Sequence, residues 1–558
     1  MYKIITSFLF QLCVLSALSA QETIYVKAQS GDATPRLQTA IEQARRLKGK
    51  KVVIQLEQGD YHLYRKSSSK QVYFISNTAS KEENPDPTKH IGFWIKDMKN
   101  LVIDGGGAHL ITHGEMTSFV IDQSENITLR NFTLKAADPS VTEMEVIDTM
   151  TCTATFKIHP NDRYEIVDKQ IKWLGTEWSF TGGIAQTFDL YTNITNRCNL
   201  PTDHAISLTD IGNHQIHVIY DREKTLYPGE IFQMRDAIRD EACGFIHLSK
   251  NIALEHLNLH FLGNFGIVGQ YSENLTYKYL NFEPEYGSNR TCAGFADFVQ
   301  MSGCKGKIRI IHSRFEGAQD DPVNIHGTHL KVIAYEPGNK ISVRFMYPQS
   351  YGFKAFFPGD EIEFTDAHSL QCLHKASIRK VERINDYDCK LTLDSSIPSA
   401  LQQQEVVVEN ITWTPEVEIR HNYFARTPTR GILVTTRRKV VIENNVFYRT
   451  PMSAIAVSDD ARSWYESGPV HDLTIRNNHF IECGSPVINI APENDYPNGT
   501  VHKGIRIEKN RFTLKDKLAI YARWTDNIRI SGNYFEGVSP ISTKESVLLE
   551  HCTNVEND

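Results

Sequence analysis

Ile419-Arg420-His421-Asn422-Tyr423-Phe424 is followed, 23 residues on, by Ile442-Glu443-Asn444-Asn445-Val446-Phe447. The same hexad, opening on an apolar residue and closing on Asn-x-Phe, returns as Ile475 to Phe480, Ile507 to Phe512 and Ile530 to Phe535. Ile310 to Phe315 matches with Ser313 in the Asn place, and Leu254 and Tyr277 extend the series backwards more weakly. The steps are 23 residues from 507 to 530, and 33 and 32 residues from 442 to 475 to 507. A recurring period of this size is the signature of a solenoid. Runs such as Val440-Val441-Ile442, Ile455-Ala456-Val457 and Ile528-Arg529-Ile530 lie between Gly, Asn and Pro, so each unit reads as two or three short strands joined by turns. Strands repeating at this interval with no helix between them predict an all-β chain wound as a parallel β-helix. A β-sandwich has evenly spaced strands too, but they do not repeat one signature in register. The Asn of each rung is expected to adopt the left-handed turn conformation and to hydrogen-bond along a stack.

Thr34 and Pro35, followed by Leu37, Ile41 and Ala44, predict a short amphipathic helix with Thr34 as its N-cap. Such a helix would close the first coil, whose apolar core and strand edges otherwise face water. Two stretches lack the rung signature and read as small, barrel-like all-β insertions. One contains Gln215-Ile216-His217-Val218-Ile219. The other contains Lys340-Ile341-Ser342-Val343-Arg344-Phe345, with Pro-Gly turns at 337–338 and 358–359. The chain thus divides into a leader over 1–20, cap and first coils over 21–139, an insertion over 140–240, central coils over 241–327, a second insertion over 328–412, and C-terminal coils over 413–558.

The net charge of −7 argues against a nucleic-acid partner, which calls for a basic surface. Lys3, the apolar run Ile4 to Leu15 and the small residues Ser16, Ala17, Ser19 and Ala20 make a secretory leader cleaved near Gln21. The protein is therefore expected to be exported, to the periplasm or outside a bacterial cell. That run is too short for a membrane span and no later one approaches the length. Nine cysteines follow the leader without a Cys-x-x-Cys pair, and they read as buried free thiols rather than metal ligands.

The chemistry concentrates in Gly317-Ala318-Gln319-Asp320-Asp321-Pro322-Val323-Asn324-Ile325-His326-Gly327. Aligning Val323-Asn324-Ile325 with Val299-Gln300-Met301 and Ile432-Leu433-Val434 puts Asp297, Asp321 and Arg430 in one column on successive coils. Neighbouring strands lie about 4.8 Å apart, so two stacked carboxyls repel and at least one holds its proton more tightly. Asp320, one residue before the column, projects differently. Inverting glycosidases separate acid and water-activating base by roughly 6.5–9.5 Å, retaining ones by about 5–5.5 Å. A stacked Asp297/Asp321 pair on one water, with Asp320 as acid, meets the first need; direct stacking alone fits the second. Arg430 reads equally as an ion-pair partner of the column or as a hydroxyl-binding group. Asn324, His326 and Gln300 fall on the outward parity and are candidate sugar-binding residues, with Gln270 and Asn264 one rung earlier. Trp178 and Trp524 read as packing residues.

The segment from Phe245 to Gly327, with Cys292-Ala293-Gly294-Phe295-Ala296-Asp297-Phe298 and the Asp320-Asp321 motif, resembles glycoside hydrolase family 110, bacterial exo-acting α-1,3-galactosidases. The resemblance extends over nearly the whole mature chain. It implies a right-handed parallel β-helix with small barrel insertions, and inverting hydrolysis of terminal α-1,3-linked galactose without metal or other cofactor. By position, Asp320 matches the family's acid and Asp297 and Asp321 its water-activating bases. The substrate implied is an oligosaccharide or glycoconjugate ending in α-galactose. Some family members require the fucose-branched blood group B structure and others also accept linear Gal-α-1,3-Gal; this chain resembles the second kind. Nothing in the sequence speaks to oligomeric state.

Three rival readings remain. A polygalacturonase-like hydrolase would also carry Gly-His-Gly and Arg-Ile-Lys, which Arg309-Ile310-Ile311 and Ile505-Arg506-Ile507 do not match. A pectate-lyase-like enzyme would use the acidic column for calcium and a basic residue to abstract a proton. A carbohydrate-binding or adhesin solenoid would bind sugar without releasing any.

Overall fold

Tyr277, Ile310, Ile419, Ile442, Ile475, Ile507 and Ile530 lie directly above one another on parallel strands. Each is at most 1% exposed, so the repeated apolar residue of the hexad is the core of the coil. The computed structural model describes residues 21–47, 49–496, 498–537 and 543–558, and the expected leader lies outside them. The hexad's Phe forms a second column, with Phe315, Phe424, Phe447, Phe480, Phe512 and Phe535 stacked at 4.8–5.0 Å between ring centres. Coil follows coil without an intervening helix, and the chain is a parallel β-helix.

Between the two columns runs the expected Asn ladder. Asn445 Oδ1 accepts the backbone N–H of Asn422 at 2.9 Å and its side-chain amide at 3.0 Å. Asn445 Nδ2 donates to Ile419 O at 2.9 Å and to Asn478 Oδ1 at 3.0 Å. Asn478, Asn510 and Asn533 repeat the pattern. The left-handed residue, however, is the one before each ladder Asn: His421, Asn444, Asn477, Lys509 and Gly532 have φ between 54° and 61°. The ladder residue itself turns its side chain into the stack, so its neighbour takes the strained bend.

The helix Thr34–Arg46 covers the N-terminal end and buries Leu37, Ala40, Ile41 and Ala44 against the coil core. Its N-cap position is Ala33 rather than Thr34. The capping work falls to Asp32, whose Oδ1 accepts the Thr34 N–H at 2.9 Å. Thr34 Oγ1 instead accepts the N–H of Tyr64 at 2.9 Å, which ties the helix to the first coil.

The first insertion is a seven-stranded antiparallel sheet, running in sequence from Val141–Met150 to Glu230–Arg235, with a three-stranded sheet sharing its apolar core. The second is a closed antiparallel barrel: the far half of Val323–Glu336 pairs with Lys340–Arg344 on one side and Val406–Asn410 on the other. Asp388–Leu393, Cys372–Arg383 and Glu361–Asp366 complete the circuit. Because one strand belongs to both coil and barrel, the barrel is fixed beside the coil face that carries Asp320 and Asp321.

Candidate active site

Val299, Val323 and Ile432 are direct neighbours on parallel strands. The column anticipated for Asp297, Asp321 and Arg430, each two residues earlier, therefore follows from the register. All three, with Asp320, line one cavity of about 1120 Å³. Asp297 and Asp321 are 6% and 4% exposed, while the Asp320 side chain is about a quarter exposed. Burial, followed by the charges of Asp320 and Asp321, pushes the Asp297 carboxyl well above the usual carboxylate range. Burial also raises Asp321, but Arg430 opposes it. Arg430 donates its backbone N–H to Asp321 Oδ1 at 3.0 Å and Nη1–H to Oδ2 at 2.7 Å. Arg430 is thus an ion-pair partner of the column and at the same time part of the cavity wall.

Asp320 faces a cationic wall built by the first insertion and the segment that follows it. Arg197 Nη2 and Arg239 Nη1 lie 3.5 and 3.9 Å from its Oδ2. Arg235 is 1% exposed, lies over the Phe295 ring, and has an Nε–H with no protein partner. Burial and the two neighbouring arginines pull its pKa down to about 9. The insertion is anchored on the acidic rung itself. Gln186 donates to Ala318 O at 3.1 Å and Arg197 to Gln319 O, while the Glu143 carboxylate accepts the N–H groups of Thr291 and Cys292. These are backbone contacts on the segments that present Asp297 and Asp320, so the insertion fixes the acids as well as walling them.

A further polar cluster meets at Glu466, a residue that no repeat or motif in the sequence marks. Its Oε1 accepts Asn77 Nδ2 at 3.0 Å and Asn324 Nδ2 at 3.5 Å, and lies 3.5 Å from His326 Nε2. Asn324 belongs to the cavity wall, and its Oδ1 is buried there without a protein partner. The other outward-parity candidates are corrected by the structure. His326 and Gln300 are buried behind the wall and bonded to each other at 3.0 Å, supporting Glu466 rather than reaching the cavity. Gln270 is fully buried; its amide bridges Ser76 N–H at 2.8 Å and Phe74 O at 3.0 Å, which leaves nothing for a ligand. Asn264 donates to Met116 O at 3.2 Å beside a separate small cavity, which Trp178 also lines. Trp524 stacks on His551, away from the acids.

The loop Ser458–Tyr465, the segment around Asn489–Asp495 and the barrel residues Tyr347 and Gln349 complete the rim. The hexad spacing carried a signal for two of these. The steps of 33 and 32 residues exceed 23 by 10 and 9, and the added residues fall in the rim segments after Val457 and Ile490.

Three carboxyls in a polar cavity on the flank of a β-helix are the equipment that a glycoside hydrolase uses. Residues 386–535 match a family profile described as a right handed beta helix region, and residues 340–407 one described as GLAA-B beta-barrel domain II. An alpha-1,3-galactosidase A of Bacteroides thetaiotaomicron is 45% identical over 546 residues, 97% of this chain and 96% of the relative. One of Bacteroides fragilis is 38% identical over 89% of this chain and 84% of its own length. An alpha-1,3-galactosidase B of Phocaeicola vulgatus is 29% identical over 93% and 92%. The chain belongs to this family, glycoside hydrolase family 110. A polygalacturonase from Erwinia carotovora aligns over 97% of both chains at 10% identity, with a TM-score of 0.40.

Proposed function

We propose that the protein is an exo-acting, inverting α-1,3-galactosidase that removes terminal galactose from linear Gal-α-1,3-Gal ends and from blood group B-type branched ends. The observation that carries the reading is the meeting of Asp297, Asp320 and Asp321 in one cavity, on a chain so similar to named α-1,3-galactosidases. Walls from both insertions and from two rim loops suit a chain end rather than a chain interior.

In the proposed reaction Asp320, the most open of the three acids, gives its proton to the glycosidic oxygen. Asp297 and Asp321 hold a water on the opposite face of the sugar. One of them takes its proton as the oxygen attacks the anomeric carbon and the bond to the leaving oxygen breaks. The products are β-galactose and an acceptor with a free hydroxyl, and solvent returns the proton to Asp320. Arg430 keeps Asp321 toward its charged form, and Asn324 and Glu466 are placed to receive sugar hydroxyls.

Galactose release from Gal-α-1,3-Gal, followed by proton NMR from the first minutes, tests sugar, linkage and stereochemistry together. The β-anomer is expected first; the α-anomer would exclude inversion. Asp320→Asn should still bind the disaccharide while hydrolysis falls by about 10³-fold or more. Binding with no release by the wild type would favour a carbohydrate-binding solenoid. The roles separate by leaving group. An aryl galactoside with an acidic phenol should restore Asp320→Asn but not Asp297→Asn, since only the former lacks an acid. Export is a proposal of the same standing, checked by whether the mature chain begins near Gln21.

A further inference from the structure

Trp464 is the large aromatic residue that the cavity leaves bare. It is 52% exposed, and among the described residues the only other aromatic side chain in the cavity wall is Tyr347. Their ring centres are 5.1 Å apart at a 45° tilt, so neither covers the other's outer face. An indole held bare at a cavity mouth needs a partner that is apolar on its face and polar at its edge, which describes a pyranose ring.

The turn beneath Trp464 is held rigidly. The buried Asp460 carboxylate accepts backbone N–H groups from Arg462 at 2.9 Å, Ser463 at 3.0 Å, Trp464, and Tyr465 at 3.3 Å. Arg462 then pairs with Asp495 across the rim. Four donors on one carboxylate fix the turn that carries the indole before any ligand arrives.

Position identifies which sugar it meets. Trp464 touches Tyr347, whose hydroxyl donates to Gln349 Oε1 at 3.2 Å. Arg239 donates to the same oxygen at 2.8 Å and lies 3.9 Å from Asp320. This connected wall leads from the aromatic pair to the proposed acid, and the acid must touch the glycosidic oxygen. The sugar on the Asp320 side is therefore the one being left behind. Resting on the galactosidase reading above, we propose that Trp464, backed by Tyr347, is the platform for the penultimate sugar, and that it selects glycosides whose leaving group is a pyranose.

The test compares Gal-α-1,3-Gal with α-galactosyl fluoride, which presents the same galactose and a leaving group without a ring. For Trp464→Ala, the ratio of kcat/KM for disaccharide to that for fluoride should fall by about fivefold or more, and Trp464→Phe should recover most of it. A smaller change in the Trp464→Ala ratio overturns the platform. If the wild type does not hydrolyse the fluoride, the galactosidase reading itself fails. Should Trp464→Ala not fold, the Asp320→Asn protein with Trp464 intact decides. On titration with the disaccharide, ring protons of the reducing-end sugar should show upfield ring-current shifts. Shifts confined to the galactose unit would refute the assignment.

Discussion

Arg430 grips Asp321 from two directions, its backbone N–H on one carboxylate oxygen at 3.0 Å and its guanidinium on the other at 2.7 Å. The contact crosses the large barrel insertion, joining residues 109 apart in sequence. Asp321 is buried with Asp297 and Asp320 as like-charged neighbours, so Arg430 is what favours its charged form there.

Replacing Arg430 by Met leaves the backbone hydrogen bond but removes the charge. Asp321, already raised by burial, should rise further and be protonated over a wider range. The acidic limb of the kcat/KM profile is expected to move to higher pH, with a loss of about 100-fold at neutral pH. An unshifted limb would show that Asp321 does not act as a base.

Asp297 trades stability for its position. Its folded pKa lies above the ordinary carboxylate value, so between those two values the folded protein binds more protons than the unfolded chain. Stability then falls as pH rises through that window, and above it the buried charge is a standing cost. Asp297→Asn removes the cost. Its Tm should exceed that of the wild type by about 1–2 °C at pH 8. The gap should close as pH falls toward 4, where both forms are neutral. Activity should fall by about 10³-fold or more. Differential scanning calorimetry across pH reads the first effect; equal Tm values at pH 8 would contradict it.

A rim contact should lose stability with rising pH as well, through a histidine instead of a carboxyl. His368 in the barrel lies with Nδ1 2.7 Å from Asp495 Oδ2 and Nε2 3.2 Å from Glu405 Oε2. Lys331 shares Glu405 and Arg462 shares Asp495. The hydrogen bond to Asp495, then that to Glu405, raise the imidazole above its usual pKa. A raised histidine contributes stability below its unfolded pKa and loses it as pH climbs through the folded one. Hydrogen exchange over residues 491–496 should therefore accelerate above neutrality beyond the intrinsic rate, and His368→Gln should be fast at every pH. Equal pH dependence in both proteins would dismiss the contact as a clamp.

The coil was legible because its physics repeats. Ile442, Asn445 and Phe447 each meet a copy of themselves on the next coil, so burial, ladder bonding and ring stacking all write the same hexad. The column of Asp297, Asp321 and Arg430 was legible for the same reason, since register carries one position to the next. Asp320's cationic wall was not. Arg197, Arg235 and Arg239 come from the first insertion and the segment after it, whose docking depends on contacts such as Gln186 with Ala318 that no period announces. Gln270 was misread because outward parity exposes a side chain only where nothing covers the sheet, and there the chain at Phe74–Ser76 does.

The ladder gives a graded stability series. Asn445 is 1% exposed and makes bonds to the coils on both sides. Asn445→Ala would strand the Ile419 carbonyl, the Asn422 N–H and the side-chain partners above and below, at a cost of about 3 kcal/mol. Asn533 stands at the last described rung, half-buried, bonding to Asn510 and Ile507 on one side. Water can reach the groups it leaves, so Asn533→Ala should cost about 1 kcal/mol. Urea unfolding should rank the two in that order while leaving the ratio of disaccharide to fluoride turnover unchanged. A larger loss at Asn533 would mean that the C-terminal coils, and not the ladder's interior, limit the stability of the solenoid.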